Sequence, residues 1–589
     1  MFSYILLFLS AIPFLSRGNN LRIEKRIYSL LTVSALFSYS ILGLISLILI
    51  NLGKSKFPTI TISILIFFLS FKFNKNFLKK YQIIKNFLFF EGIKITKYFK
   101  NKFQKLTIIL IAFLLILISI SSIGPINHPD ALDYHVGYPY QYWLRGKFFI
   151  DEGLHQALMG AGDYANLSFI QEKTIWLIRY IQIFNLPLIS LFFINNIKNK
   201  WFIIAFLSSS TFIQWSTIGK PLFLSESSCA IAYIIWREHK DNLSRKLLVV
   251  SIISCISIKI SSIIVCLPIV LDFITDSFLN KNNKNLKKTF LDFKNIFFES
   301  STVLSLILLI SILFLRFKIV GNFAFPLLTN IFNRNDILIL NFSEFLSGYQ
   351  RDGLFPLNIF LPMKFSDAAS SLGPGIFIII ILLIIKTFSK FNLKDNVLFY
   401  ICFSQIILLI MFCQGRADYY AIPLIISVYF ADNLNIFYIN KFLKSLMNFS
   451  IFIQTILIIG LLLLSINQNL LSIFNYEKAM LSTSYAFDFS RLINNKTSGN
   501  FYQNAIRDSR FLYPENYITR EKMQKCLLTN SQELCLNKNN ITQIISGPEF
   551  LLDKQNFNCE TKLFITGARN PLNRKERKVE VCEKINLAK

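Results

Sequence analysis

Asp130, Asp133 and His135 stand within six residues, in the stretch HPDALDYHVGYPYQYWLRGK that runs from His128 to Lys147. The chain carries 34 Asp and Glu against 62 Lys and Arg, so acids placed just beyond an apolar run need a reason. Two neighbouring carboxylates can split their pKa values, bind a cation, or supply a base. Pro129 and Asp130 suit a helix start. A helix from there puts Asp130, Asp133 and Gly137 on one face and leaves Leu132, Tyr142 and Trp143 for a membrane interface. His135, five residues after Asp130, turns away from that face. The bland alternatives are an N-cap for Asp130 and a solvated loop charge for Asp133. Basic residues form a second set: Lys220 in Ile-Gly-Lys-Pro, Lys259 inside a long apolar run, and Arg416 in Gln-Gly-Arg-Ala-Asp-Tyr-Tyr, which ends at Tyr420. Converging, these cations would bind a phosphate; singly, each could snorkel to a headgroup. No HExxH, Walker or GxSxG motif occurs, which argues against a zinc protease, an NTPase or an ordinary serine hydrolase.

The elements that must position these groups are membrane helices. The chain is 53% hydrophobic and 16% charged, with mean hydropathy +0.48, a composition no soluble core requires. Its net charge of +28 invites a nucleic-acid reading, but the lysines sit in short clusters between apolar runs. That is the positive-inside pattern, and no nucleic-acid partner is expected. The clearest cluster, Lys72–Lys105, has ten lysines against one acid, Glu91, and reads as a cytoplasmic loop. The N-terminal run lacks the positive start of a signal peptide and reads as a retained helix starting outside. If the basic connections share one side, an even number of crossings separates each pair, giving about 12–14 transmembrane helices. The run Leu247–Phe273 is too long for one span and must break near Lys259. The fold class is an all-α polytopic membrane protein with a small C-terminal α+β extracytoplasmic domain.

Three regions follow. Residues 1–105 hold N-terminal helices and the Lys-rich loop. Residues 106–470 form the transmembrane core, with external loops at 125–171 and 318–373. Residues 471–589 form the external domain, with β-like runs at Ile541–Ile545 and Lys562–Thr566. That domain holds Cys526, Cys535, Cys559 and Cys582, read as two disulfides with three connectivities open; no CxxC spacing favours zinc. The remaining cysteines lie in apolar runs and read as small core residues.

The stretch Asp130-Ala-Leu-Asp-Tyr-His135, with Pro139 and aromatics after it, resembles the first external loop of the GT-C superfamily. These membrane glycosyltransferases include protein mannosyltransferases and lipid A aminoarabinose transferases. Gly321-Asn-Phe-Ala-Phe-Pro326, followed by Ile331 and Phe332, is similar to a Gly-Asn-Pro-x-Tyr-Pro signature of uncharacterised bacterial members, with Phe323 and Phe325 in place of proline and tyrosine. Gly-Lys-Pro221, Leu372-Gly-Pro-Gly375 and Arg416 before Pro423 fall in the matching order, and the resemblance covers roughly residues 106–470. It implies transfer of a sugar from a polyprenyl-phosphate carrier to a glycan, lipid or protein acceptor, at the periplasmic face of a bacterial inner membrane. Asp130 would act as base with Asp133 in support, and His135, Lys220, Lys259, Arg416 and Tyr420 would bind substrate. The family's adjacent acidic pair is missing, which leaves a divalent metal as an open alternative; no cofactor is otherwise expected. A lipid-linked-sugar flippase, or an O-antigen ligase or polymerase using Arg351 and Lys364 in the second loop, are the competing readings.

Overall fold

A computed structural model describes residues 1–16, 24–74, 76–99, 102–151, 154–279, 294–325, 356–361, 371–389, 396–412, 417–433, 441–493, 499–547, 556–567 and 574–585. Arg416, Arg351, Lys364, Pro326, Ile331, Phe332 and most of the 318–373 loop lie outside these residues. The apolar runs fold as helices packed into one bundle. Among the described residues five are long and apolar enough to cross a membrane: Lys25–Asn51, Gln104–Ser121, Ile175–Asn196, Ser300–Val320 and Phe442–Phe474. Counting each bent pair as one span gives seven, and four shorter apolar helices accompany them. These five to seven helices fit a multi-pass membrane protein, and the other described runs are short or broken. One bent pair is Trp201–Leu207 with Thr211–Ile218, angled by 49°. The long run ending at Phe273 splits as its length requires: Asn242–Ile258 stops at Lys259, which is extended (φ −147°, ψ 110°), and Ile263–Leu279 follows.

The Lys-rich stretch corrects one expectation. It is no plain loop, because Phe77–Tyr98 forms a helix turned 97° from Thr59–Phe73. Its buried residues Phe77, Ile84 and Phe87 recur at helical spacing, so an apolar stripe lies beneath the lysines, with the buried Glu91 following on.

Polar residues gather at two ends of the bundle. At one end the basic connections meet one another. Lys25 pairs with Glu238 at 2.9 Å and Arg26 with Asp241 at 2.7 Å. The backbone N–H groups of Lys198 and Asn199 donate to Asp432, and Asn195 donates to Glu91 at 2.6 Å. At the other end lie the 125–171 loop, Lys220, Lys259 and the C-terminal domain.

The 34-residue helix Lys441–Phe474 leads out of the bundle at this second end. Gln454 fastens it low down, donating to the Ala205 carbonyl at 2.9 Å. Asn469 fastens it higher, donating to the Ser121 carbonyl at 2.9 Å and accepting from Arg179. Beyond it, β1 (Asn500–Gln503), β2 (Tyr517–Ile518), β3 (Ile541–Ser546), β4 (Phe557–Thr566) and β5 (Lys575–Lys584) form one sheet in the order β2-β1-β3-β5-β4. The β1 pairings are parallel and those of β5 antiparallel. Of the three open connectivities the structure has Cys526–Cys535, joining the helices Arg520–Leu527 and Gln532–Lys538, and Cys559–Cys582, across β4 and β5.

Candidate functional site

The segment after Pro129 is helical but wound wide, as a π-helical turn over Ala131–His135, and then restarts at Gly137–Arg145. Single π turns inside helices often mark functional places, because the extra residue re-aims the side chains. Here Asp130 and Asp133 meet the C-terminal domain, while His135 meets a different helix. Asp130 makes no capping bond through its side chain. Its carboxylate takes the Arg507 guanidinium at 2.6 Å. Asp133 is no solvated loop charge either, being fully buried. It accepts from Arg510, from Arg507 at 3.4 Å and from His155 at 2.7 Å. Burial alone would push its pKa up; His155, Arg510 and Arg507 outweigh that and hold it well below the usual carboxylate range.

Arg510 is the hub of this contact. It also reaches Asp151 at 3.3 Å and Asp508 at 3.0 Å, and lies 4.4 Å from the centre of the Tyr138 ring. Its carbonyl accepts from Gln141 at 2.8 Å. Gly137 permits the approach: a Cβ there would lie 2.4 Å from the Leu132 carbonyl oxygen and 3.1 Å from the Arg510 Cβ. Asp133 therefore serves to hold the C-terminal domain on the loop.

His135 belongs to a second cluster, built on the helix Ala161–Gln171. Its Nδ1 lies 2.6 Å from Asp163, and its carbonyl accepts from Asn166 at 2.7 Å. Asp163 also accepts from the Gly160 N–H at 2.8 Å. Glycines press this helix start against its neighbours. A Cβ on Gly160 would lie 2.0 Å from the Ile258 carbonyl oxygen, and one on Gly162 would lie 2.6 Å from Pro221. Lys259, next to Ile258, interacts electrostatically with Asp163 and with Lys220, which is next to Pro221. Burial, reinforced by the Lys259 charge, pushes the His135 imidazole below its ordinary pKa despite Asp163 and Asp130. Burial works against the Asp163 carboxylate too, but His135, Lys259 and the Gly160 N–H keep its pKa low.

The cations around this pair differ in how they are satisfied. Lys220 pairs with Asp418 at 2.6 Å and sits 4.3 Å from the Tyr419 ring centre. Lys259 is 6% exposed, lies 5.0 Å from the Tyr134 ring centre, and interacts electrostatically with Asp163, Lys220, Arg316 and Asp130. Arg316 is 3% exposed and donates to the carbonyls of Phe325, Leu158 and Met159. Among the described residues neither Lys259 nor Arg316 has a carboxylate at ion-pair distance.

Asp130, Asp133, His135, Lys220 and Lys259 thus meet at one end of the bundle. Tyr420 is buried beside them, its ring centre 6.3 Å from that of Phe360. Sequence reasoning missed Arg507, Arg510, Asp163, Arg316, His155 and Asp418. Arg316 carried a signal, as a cation inside an apolar helix, and so did Asp163, behind Gly160-Ala-Gly162. Among the described residues no three His, Cys, Asp or Glu side chains form a group suited to a metal ion. No family model matches the chain, and no curated protein or solved structure is significantly similar to it.

Proposed function

We propose that the chain is a glycosyltransferase of a bacterial inner membrane. It moves a sugar from a polyprenyl-phosphate donor to an acceptor hydroxyl, and its C-terminal domain lies on the periplasmic side. The observation that carries this reading is the buried pair of cations, Lys259 and Arg316, which among the described residues has no ion-paired carboxylate. A buried charge left so costs several kcal/mol, by the order-of-magnitude rule for desolvated ions, unless an anion arrives. A donor phosphate supplies that anion, and its charge grows as the sugar leaves, so cations already aimed at it favour the transition state. Lys220, held by Asp418, adds positive potential on the same side.

Asp130 supplies the base. Its side chain keeps 13% of its surface exposed, at the end of the bundle where an acceptor would enter, and it must exchange Arg507 for the acceptor hydroxyl. The hydroxyl oxygen attacks the anomeric carbon, the bond from that carbon to the phosphate oxygen breaks with its electron pair, and the proton passes to the carboxylate. The test uses the protein in proteoliposomes with a polyprenyl-phosphate sugar, reading release of the free lipid phosphate. Asp130→Asn is expected to abolish release while insertion and folding persist. Release at the wild-type rate in that variant removes the carboxylate from the mechanism.

A further inference from the structure

The reaction just described uses no nitrogen of His135, yet this imidazole is held on one side by Asp163. Asp163 fixes Nδ1 at 2.6 Å, and Asn166 fixes its carbonyl. Its Nε2 is buried with no hydrogen-bond partner among the described residues. A buried polar atom without a partner destabilises the fold, which is tolerated best where a ligand completes it.

With Asp163 ionised, the neutral imidazole places its hydrogen on Nδ1. Nε2 then presents only a lone pair. A lone pair repels a phosphate oxygen, whereas a proton on Nε2 turns the same atom into a charged donor. The groups that govern this proton come from three elements. Asp163 lies on the helix packed against the turn, Lys259 at the break beside it, and Asp130 on the same segment. Lys259 opposes protonation, and it is the cation a phosphate would neutralise.

Building on the donor-phosphate reading, we infer that His135 is a third phosphate-binding cation, which takes up one proton as the lipid phosphate binds. The bound state is a chain of Asp163 carboxylate, imidazolium and phosphate oxygen, flanked by Lys259 and Arg316. The proton enters from solvent with the anion and leaves with it, so no other bond changes. Because the ordinary imidazole pKa lies near 6.5 and His135 starts below it, the free site is unprotonated at neutral pH. An added anion within a few ångströms raises such a group by about 1–3 units.

The test is calorimetric titration of the full-length protein in detergent with farnesyl phosphate, at pH 7, in two buffers of different ionisation heat. The wild type is expected to take up close to one proton per ligand, beyond what the ligand itself gains. Binding should tighten by up to about tenfold per unit as pH falls, the limit for one linked proton. His135→Gln should bind with the extra uptake gone and the pH dependence reduced to that of the ligand. Tight binding to the wild type with no proton uptake overturns the inference and leaves the donor-phosphate reading standing. No binding at all overturns both. Equal binding of inorganic phosphate with the same uptake keeps the proton coupling and removes the lipid.

Discussion

The two polar ends of the bundle use the same residue types for different ends. At the basic end several cations meet acids with water close by, and Arg237 and Lys240 share Asp276: the Lys25 side chain is 41% exposed and its partner Glu238 25%. At the loop end, Arg510 and Asp133 are 2% and 0% exposed, and Lys259 and Arg316 are buried without paired acids among the described residues. Water screens the first kind of charge, so its worth is mostly orientation and small ties between connections. The second kind is sustained only by partners already in place or by one still to come. On the proposed function, the buried charges of the loop end are the ones that would meet a substrate.

The largest break in this contrast should come from Arg510→Met. It takes from Asp133, Asp151 and Asp508 the guanidinium they share, and removing one partner of a buried pair costs about 3–5 kcal/mol. Limited proteolysis should then release the C-terminal domain while the bundle stays intact; an unchanged digest would show that Asp133 is not its tether. Acid should loosen the same tether in a defined direction. The Asp133 carboxyl titrates below its ordinary 3.8 in the folded chain. Its contribution is therefore full above pH 3.8 and lost only as pH falls toward the lower folded value. Proteolysis with an acid-stable protease should show the domain held at pH 5 and freed well below pH 4.

Gly160→Ala comes next. Its Cβ would overlap the Ile258 carbonyl, and overpacking of this kind costs about 1–3 kcal/mol. Thermal unfolding in detergent should fall by several degrees, and binding of farnesyl phosphate should weaken as Asp163 shifts from Lys259. The smallest effect belongs to the basic end. Lys25→Ala should cost no more than about 1 kcal/mol, and 1 M salt should erase most of it. A loss as large as that of Arg510→Met would dissolve the contrast.

The sequence made some of this legible. Run length alone required a break near Lys259, and the helix does stop there. Short β-like runs marked β3 and part of β4 within a polar tail. Four cysteines showed that a framework existed, but spacing could not choose among its pairings. The helix Phe77–Tyr98 was hidden because its lysines drew the eye from the stripe Phe77, Ile84 and Phe87. The partners of Asp130 and Asp133 could not be read at all. Arg507 and Arg510 lie far along the chain, in a domain of different composition, and nothing local to either pair announces the contact. The role of Asp163 was obscured for a related reason: its partner His135 lies 28 residues away in the chain, on another element.

The helix Lys441–Phe474 has a mechanical consequence. At 1.5 Å per residue its 34 residues extend about 51 Å, well past a hydrocarbon layer of about 30 Å. It is a shaft, clamped by Gln454 and Asn469, that sets the angular phase of everything mounted above it. One residue inserted between those clamps would swing the mounted arginines through about 100°, away from their acids, and seven would nearly restore the bearing while lifting them about 10 Å. Neither length would let the sheet settle back onto its seat.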